Sequence, residues 1–403
     1  MASLFRVVRN MFANAKSCVQ LNNNNSTFFS CKSGVRQGEN LSPLLFSLYL
    51  NDLLTYLTDK QNTGVNLEFM ENDIVSYIHI LVLLFADDTV IVSKSADEFQ
   101  KCLNDFNQYC MDWKLKFNPN KTKVIVFGTN KRGIRNFNFT IAGNKIEIVD
   151  SYKYLGVYFS SNGSFYKARS HLVSQARKAM YLLYKRIYNL HLPIDLQLKL
   201  FDHTISPILS YGSELWSYEN TDIIEKVHIE FLKKITKSRK STPAYMLYAE
   251  LGRYPLKVTF QTKMIKYWIN IITGSKSKFS YLVYRHLLYR NRQCKWLTCI
   301  RNTLDLTGHS DLFLNQNNIR KSSYILIKRT LIDQFIQEWN GKLEGSNKGK
   351  QYKLFKDNIE LETYLITLPI QYVFPLLKFR TSNHTFPVET GRWSNTPYHE
   401  RFL

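Results

Sequence analysis

Two adjacent aspartates, Asp87 and Asp88, stand between two apolar runs in the segment ILVLLFADDTVIVS, which extends from Ile80 to Ser93. Neighbouring carboxylates repel each other, and partial burial beside a strand makes it more costly to keep both charged. A divalent cation reverses this, since Mg²⁺ prefers hard oxygen ligands. Two such ions about 4 Å apart can bind the attacking and leaving oxygens of a phosphoryl transfer. The pair alone fits a solvated turn with two surface acids, whereas the apolar strand on each side of it favours a metal site.

The residues around this pair predict the elements that must position it. Residues 77–93 are apolar and β-branched, which favours a hairpin that is buried on at least one face and has the aspartates at its turn. Ser95 and Glu98 have capping-box spacing ahead of apolar residues at helical intervals up to Trp113. VIVFG, residues 124–128, predicts a further strand. This β-β-α-β order suits a helix on one face of an antiparallel sheet and predicts an α+β fold class.

Two other segments have local signatures. In the run from Gly34, GVRQGENLSPLLFSLYLNDLLTYL, a loop leads to a helix for which Ser42 is the expected N-cap and Pro43 the first helical residue. That helix is expected to continue to about Leu57. Residues 340–353, NGKLEGSNKGKQYK, are rich in Gly, Lys and Ser and predict a flexible basic linker.

The charge is large and unevenly distributed along the 403 residues. The chain has 54 Lys and Arg against 32 Asp and Glu, a net charge of +22. Residues 1–164 have 17 basic and 14 acidic side chains, whereas residues 165–403 have 37 and 18. The pattern also becomes helical beyond Gly163, so we expect a domain boundary near residue 164. Such an excess of positive charge predicts a polyanionic partner, for which nucleic acid is a better candidate than a membrane surface.

Other global features exclude several classes of protein. No apolar run reaches the roughly 20 residues that a membrane helix needs, and no membrane association is expected. The six cysteines have no C-x-x-C spacing and predict reduced structural thiols in an intracellular protein. With nucleic acid as the partner, we expect a nuclear or cytoplasmic location. The sequence leaves the oligomeric state open.

Four segments in order resemble the conserved boxes of reverse transcriptases, in particular those of non-LTR (LINE-type) retrotransposons. FADD followed by TVIV resembles the metal-binding box, and GVRQGENLSPLLFSLYLNDL resembles the box before it. WKLKFNPNKTKVIVFG and YKYLGVYF resemble the two boxes that follow, the second being a primer-contacting hairpin. PILSYGSELW and STPAYMLYAELGRYPL resemble stretches downstream of the polymerase core.

The resemblance implies a two-metal polymerase that extends a DNA primer on an RNA template with dNTPs and uses Mg²⁺ or Mn²⁺. It implies a partial palm domain in residues 1–164, a thumb-like helical region in residues 165–260 and a basic, mainly helical region in residues 261–403. Asp87 and Asp88 would be the catalytic metal ligands. Template and nucleotide binding would fall to Arg36, Gln37, Gly38, Ser42, Pro43, Lys121 and Lys123. Tyr154, Leu155 and Gly156 would grip the primer.

Some of these roles have competing interpretations. The two lysines fit solvated turn charges as well as a triphosphate contact. The family completes its metal site with a third aspartate upstream of the GVRQG box, but residues 1–33 contain no Asp or Glu. We therefore expect a truncated polymerase with little or no DNA synthesis. A non-catalytic RNA- or DNA-binding protein derived from a retroelement is the alternative, and an unrelated metal-dependent phosphotransferase is a weaker one.

Overall fold

A computed structural model describes residues 2–13, 15–31, 34–36, 38–71, 74–128, 132–187, 190, 192–290 and 294–401. Within these residues the chain divides into two compact units. The first comprises residues 1–67, 77–124 and 132–148, and the second comprises residues 68–76, 125–131 and 149–403. Helices dominate the second unit, whereas short strands and helices alternate in the first. The predicted α+β class is confirmed.

The chain up to residue 148 has five helices and twelve strands among its described residues. The helices are α1 (Ala2–Ala13), α2 (Ser42–Tyr49), α3 (Leu53–Asp59), α4 (Ala96–Asp112) and α5 (Arg132–Arg135). The strands are β1 (Lys16–Ser17), β2 (Gln20–Leu21), β3 (Asn24–Asn25), β4 (Phe29–Ser30), β5 (Val65–Glu71), β6 (Ile74–Ile80), β7 (Val82–Phe85), β8 (Asp88–Ile91), β9 (Lys123–Val124), β10 (Thr140–Ile141), β11 (Asn144–Lys145) and β12 (Glu147–Ile148). The described strands pair two by two. The β9–β12 pair is parallel, and β1–β4, β2–β3, β7–β8 and β10–β11 are antiparallel.

The core of the first unit is formed where α3 and α4 meet. Its buried side chains are Leu50, Leu53, Leu57, Leu81, Cys102 and Tyr109. Tyr109 donates a hydrogen bond to Asp52 Oδ1 at 2.6 Å, which gives its buried hydroxyl a partner. Burial and the Asp52 carboxylate together raise the pKa of Tyr109. The predicted cap of α4 is present, because Ser95 Oγ accepts a hydrogen bond from the backbone N–H of Glu98.

Beyond residue 148 the chain forms one hairpin followed by helices. The strands are β13 (Ser151–Tyr154) and β14 (Val157–Ser160). The helices are α6 (Tyr166–Ile187), α7 (Ile194–Leu200), α8 (Ser206–Leu209), α9 (Ser213–Trp216), α10 (Asp222–Ile235), α11 (Ala244–Glu250), α12 (Leu256–Ile272), α13 (Phe279–Tyr289), α14 (Lys295–Leu306), α15 (Ser310–Leu314), α16 (Ser323–Glu344), α17 (Asn347–Lys353), α18 (Tyr364–Thr367), α19 (Ile370–Arg380) and α20 (Pro387–Trp393). A π-helical turn, Phe201–Ile205, joins α7 to α8.

The helical part has two apolar cores. The larger one joins α6–α11 to α16–α19 around Trp216, Phe231 and Trp339. The smaller one lies between α12, α13, α14 and α16 around Trp268 and Ile300. No helix in the described part of the chain is long and apolar enough to cross a membrane.

Four sequence predictions about these elements are wrong. Ser42 is inside α2, whose N-cap is Leu41, and the predicted single helix to Leu57 is interrupted between α2 and α3. The strand expected over residues 124–128 is reduced to β9. Residues 340–353 form the end of α16 and all of α17 rather than a flexible linker. Composition indicated a linker there, but Trp339, Leu343 and Tyr352 are fully buried and fix the segment as helix.

Candidate functional site

The two aspartates lie at the turn of the β7–β8 hairpin, as predicted. Phe85 pairs with Asp88, so Ala86 and Asp87 form a two-residue connection. Ala86 has a φ of +52°, in the left-handed region that side chains with a Cβ rarely adopt. Such a backbone conformation costs about 1–3 kcal/mol, and two-residue hairpin turns commonly require it. Both carboxylates are exposed to solvent.

The expectation that this hairpin has a buried face is met only at its base, where Val82 and Ile91 are partly buried against the core. Leu81, just before β7, is only 1% exposed and belongs to the core. Leu84 and Phe85, next to the turn, are 42% and 60% exposed. In the described part of the chain, β7 and β8 pair with each other and with no third strand. The apolar residues beside the turn are therefore largely exposed, whereas Val82 and Ile91 at the base of the hairpin pack against the core.

The donor chemistry of this turn suits a divalent cation only in part. Asp87 and Asp88 offer the hard carboxylate oxygens that Mg²⁺ prefers. Among the described residues there is no group of three or more His, Cys, Asp or Glu side chains that could hold a metal ion. Two carboxylates fit a single, loosely held ion whose remaining ligands are water or phosphate. They do not complete a site for two ions.

The loop before α2 is held by its own hydrogen bonds. Ser42 Oγ donates to the carbonyl of Arg36 at 2.6 Å, so this buried serine fixes the loop rather than capping the helix. The Arg36 guanidinium forms an ion pair with Glu39 at 2.9 Å and donates to the carbonyl of Met11 at 3.0 Å. The structure thus brings Arg36 and Ser42 together. These contacts make Arg36 a positioning residue of the loop in this conformation.

The other candidate residues of this segment are Gln37, Gly38 and Pro43. Gly38 has a φ of +90°, and a Cβ built there would have no neighbour within 4 Å. Glycine is therefore required for the backbone conformation, and the surrounding space is open to a ligand. Pro43 is exposed in the first turn of α2. Gln37 lies outside the described residues.

The two candidate triphosphate lysines are near the parallel pairing of β9 with β12. Lys123 pairs with Glu147 in that register, and its Nζ is 2.8 Å from Glu147 Oε2. Its charge is thus partly neutralised by a fixed neighbour. Lys121 is exposed in the turn after Asn118, whose carbonyl accepts a hydrogen bond from the Lys121 backbone N–H at 3.2 Å.

The β13–β14 hairpin contains the predicted primer-contacting residues. Tyr154 pairs with Val157, and the connecting residues Leu155 and Gly156 have φ values of +46° and +81°. Two positive φ values in a two-residue connection match the right-handed twist of paired strands. This confirms a hairpin at the predicted position, whereas the contact with a primer stays a prediction.

Sequence reasoning did not assign a role to Tyr211, which packs against this turn. Its hydroxyl donates to the carbonyl of Leu155 at 2.8 Å. A Cβ at Gly156 would lie 2.8 Å from the Tyr211 ring, so only glycine lets the ring approach this closely. The signal that could have revealed it is its place in PILSYGSELW, one of the segments that shows the family resemblance.

The N-terminal part of the chain matches a known protein family. Residues 1–159 match the model of the family described as reverse transcriptase (RNA-dependent DNA polymerase). Residues 1–159 are a reverse transcriptase domain. The matched segment includes the Asp87–Asp88 turn, the loop before α2 and the β13–β14 hairpin.

Individual relatives indicate the type of reverse transcriptase. Over 259 residues the chain is 25% identical to an RNA-directed DNA polymerase from the mobile element jockey of Drosophila funebris. The aligned stretch covers 60% of this chain and 26% of that protein. The chain is 31% identical over 138 residues to a Pol polyprotein from the type-1 retrotransposable element R2 of Popillia japonica, over 33% of this chain and 22% of that protein. The reverse transcriptase domain is thus of the non-LTR retrotransposon type. The chain spans about a quarter of the length of these relatives.

Proposed function

We propose that this chain is the polymerase part of a non-LTR retrotransposon protein and extends a DNA primer on an RNA template with dNTPs. The observation that supports this most is the position of Asp87 and Asp88. They lie at an exposed, strained turn inside the segment that matches the reverse transcriptase family. Exposed carboxylates at a two-residue connection are accessible to a metal–nucleotide complex. The helical region of residues 165–260 acts as the thumb, and residues 261–403 form a further basic region.

The metal ligands in this proposal are Asp87 and Asp88, which hold Mg²⁺ or Mn²⁺. A divalent cation held by these carboxylates would supply positive charge to the phosphate oxygens of a bound nucleotide. Asp87 is the more direct ligand of the two. The open space around Gly38 admits a template base or the nascent pair. Pro43 and the Ser42–Arg36 hydrogen bond hold the adjacent backbone in place.

The proposed contacts with the triphosphate involve one of two lysines, and those with the primer involve the β13–β14 turn. Either Lys121 or Lys123 approaches the triphosphate, and Lys123 has to exchange its ion pair with Glu147 to do so. Tyr154, Leu155 and Gly156 hold the primer strand through the β13–β14 turn. The Tyr211 hydroxyl keeps that turn in shape.

We expect the chain to synthesise little DNA by itself. The described residues contain no group of three metal-ligating side chains, so the two carboxylates should bind one ion weakly. The ion that activates the primer hydroxyl would then lack a protein ligand. The low activity is therefore a consequence of incomplete metal coordination rather than of poor nucleic-acid binding.

Two measurements test this proposal. The first is extension of a labelled DNA primer on an RNA template with Mg²⁺ or Mn²⁺, for the unmodified chain, Asp87→Asn and the matched control Asp112→Asn. The second is Mn²⁺ binding by electron paramagnetic resonance for the same three proteins. Asp112 is exposed at the end of α4, away from the turn in sequence. Weak Mn²⁺ binding and weak extension, both lost only in Asp87→Asn, support the proposal.

Two outcomes contradict it. Mn²⁺ binding that is equal in all three proteins removes the metal site. Robust extension that Asp87→Asn abolishes keeps the polymerase but overturns the expected low activity.

A non-catalytic nucleic-acid-binding protein is the second candidate function. The net charge of residues 165–403, with 37 basic and 18 acidic side chains, favours it. Tight RNA binding without extension under any metal condition would distinguish this function from a polymerase.

A further inference from the structure

Four aromatic side chains, Phe355, Phe379, His384 and Phe386, form a cluster at the C-terminal end of α19. The centre of the Phe379 ring lies 5.8 Å from that of Phe355 and 6.2 Å from that of Phe386. The His384 ring centre is 5.4 Å from that of Phe379 and 4.8 Å from that of Phe386. These separations are those of rings in direct contact. We refer to the four residues as the aromatic cluster.

The phenylalanines of this cluster are only partly buried. Phe355, Phe379 and Phe386 are 42%, 44% and 56% exposed. Burying a phenylalanine stabilises a fold, so three rings that remain in water give up part of that stabilisation. Single exposed apolar residues need no explanation, whereas rings that are exposed together mark an interaction surface.

Hydrogen bonds fix the backbone that carries these rings. Arg380 Nη2 donates to the carbonyl of Phe355 at 3.1 Å, and Arg380 Nε donates to the buried carboxylate of Glu250 at 2.9 Å. The backbone N–H of Phe386 donates to His384 Nδ1 at 3.2 Å. Rings that are held in place before a ligand arrives lose less conformational entropy when it binds.

The segment that contains most of the cluster has no negative charge. Residues 363–388 contain no Asp or Glu, but they contain Lys378 and Arg380. Lys237, in the loop after α10, adds a further cation, since its Nζ lies 4.2 Å from the centre of the Phe374 ring of α19. The rings therefore lie in a segment with a positive charge.

The acids that flank this segment are ion-paired. Glu362 pairs with Lys356 at 2.6 Å, and Glu389 pairs with Lys348 at 3.0 Å. The exposed acids Asp357 and Glu360 precede the segment in sequence. The charge of the segment thus favours an anionic partner.

Exposed rings near cations match the unpaired bases of a single-stranded nucleic acid. Proteins bind such strands with aromatic side chains on which bases stack and with cations that contact the backbone. A duplex offers less to the rings, because its bases are paired and stacked on one another. A bilayer or an apolar groove of another protein would accept aliphatic side chains equally well, whereas every member of this cluster is aromatic.

We propose that Phe355, Phe379, His384 and Phe386 form a platform on which an unpaired base of single-stranded RNA or DNA stacks, while cations of the segment contact its phosphates. Stacking uses the flat face that every base has, so binding has little sequence preference. The platform does not depend on the proposed polymerase function. It serves a non-catalytic nucleic-acid-binding protein equally well.

The test is binding of a fluorescent oligouridylate, an oligothymidylate and a duplex of the same length, measured by anisotropy at several salt concentrations without dNTPs. Phe379→Leu/Phe386→Leu is compared with Phe279→Leu/Tyr289→Leu, two residues of α13 that are 44% and 38% exposed. Leucine keeps apolar bulk but removes the flat ring, and circular dichroism checks that both variants are folded. The cluster variant should bind the single strands on the order of 10-fold more weakly. The slope of log K against log salt should stay unchanged, because no phosphate contact is lost.

Several outcomes overturn the inference. They are an unchanged affinity of the cluster variant for both single strands, an equal loss in the control variant, an equal loss for the duplex, and a reduced salt slope. Anionic phospholipid vesicles and a second copy of the chain are the alternative partners, since Leu368 and Ile370 at the start of α19 are also exposed. Binding to either that weakens in the cluster variant, with single-strand affinity unchanged, overturns it too. A loss for only one of the two oligonucleotides supports the inference and identifies the partner as RNA or as DNA.

The same measurements separate this inference from the proposed function. A chain that binds single strands through the cluster yet extends no primer supports the inference and contradicts the polymerase. A chain that extends primers but binds single strands equally well with and without the rings does the reverse.

Discussion

The buried carboxylate of Glu250 in α11 accepts a hydrogen bond from the guanidinium Nε of Arg380 in α19, at 2.9 Å and across 130 residues of sequence. Two tyrosine hydroxyls complete its surroundings, Tyr352 at 2.8 Å and Tyr364 at 2.7 Å. Burial and the charge of Glu250 raise the pKa of both tyrosines, which keeps them as neutral donors. One carboxylate thus connects α11 to three segments of the C-terminal region.

Replacing Glu250 should destabilise the second unit strongly. Glu250→Ala removes the partner of Arg380 Nε and an acceptor of the Tyr352 and Tyr364 hydroxyls. Breaking a buried pair on one side costs about 3–5 kcal/mol, and the lower end is expected here because Arg380 keeps its ion pair with Glu362 at 3.1 Å. Urea unfolding followed by circular dichroism measures this cost. Glu344→Ala is the control, because the Glu344–Lys353 pair is exposed and should contribute little to stability. Similar losses in both variants would show that the buried network is unimportant.

A second prediction concerns the close packing of α17 against the end of α16. A Cβ on Gly349 would lie 2.3 Å from the carbonyl oxygen of Leu343, so Gly349→Ala must push the two helices apart. Overpacking of this kind costs about 1–3 kcal/mol. Gly341, inside α16, has nothing within 4 Å of its built Cβ, so Gly341→Ala should stabilise by up to about 1 kcal/mol. Opposite signs of the two changes in unfolding free energy are expected, and stabilisation by Gly349→Ala would contradict the packing.

These helices also show why one sequence prediction failed. Gly, Lys and Ser in residues 340–353 are typical of a linker, but the same residues have specific positions in the structure. Ser346 caps α17 by accepting from the Gly349 backbone N–H at 3.0 Å. Tyr352 is buried and donates to Glu250. Local composition cannot reveal a glycine chosen for close packing or a tyrosine whose acceptor is 102 residues away.

The candidate site was more accessible to prediction, because its signals are local. The Asp87–Asp88 turn, the cap at Ser95 and the hairpin around Gly156 each depend on a few consecutive residues, and each is present. The cap role of Ser42 was wrong because its hydroxyl donates to the Arg36 carbonyl six residues earlier. The expected burial of the hairpin beside its turn was wrong because burial depends on partners distant in sequence. Tyr211 was missed for the same reason: its contact is with a turn 56 residues earlier.

The contact of Tyr211 with the β13–β14 turn can be tested by comparing alanine variants of two glycines, one beside Tyr211 and one away from it. Gly156 has a φ of +81° and a built Cβ 2.8 Å from the Tyr211 ring, whereas Gly163 has a φ of +75° and open space. Both alanine variants incur a left-handed backbone cost of about 1–2 kcal/mol. Gly156→Ala should lose about 1–3 kcal/mol more because of the clash. Adding Tyr211→Ala to Gly156→Ala removes the clash, and an undiminished difference between the glycine variants would contradict the contact.

The cysteines offer a probe of the first unit that needs no mutation. Burial raises the pKa of the Cys102 thiol to about 12 and that of Cys110 to about 11, so neither forms the reactive thiolate near neutral pH. Cys18, Cys31 and Cys294 are partly exposed and should react with a maleimide first. Mass spectrometry of the labelled peptides over time assigns the order. Cys102 and Cys110 should react only when guanidinium unfolds the chain, because both pack in α4 against the core. Labelling of Cys102 in the native chain as fast as that of Cys18 would mean that α4 does not pack as described.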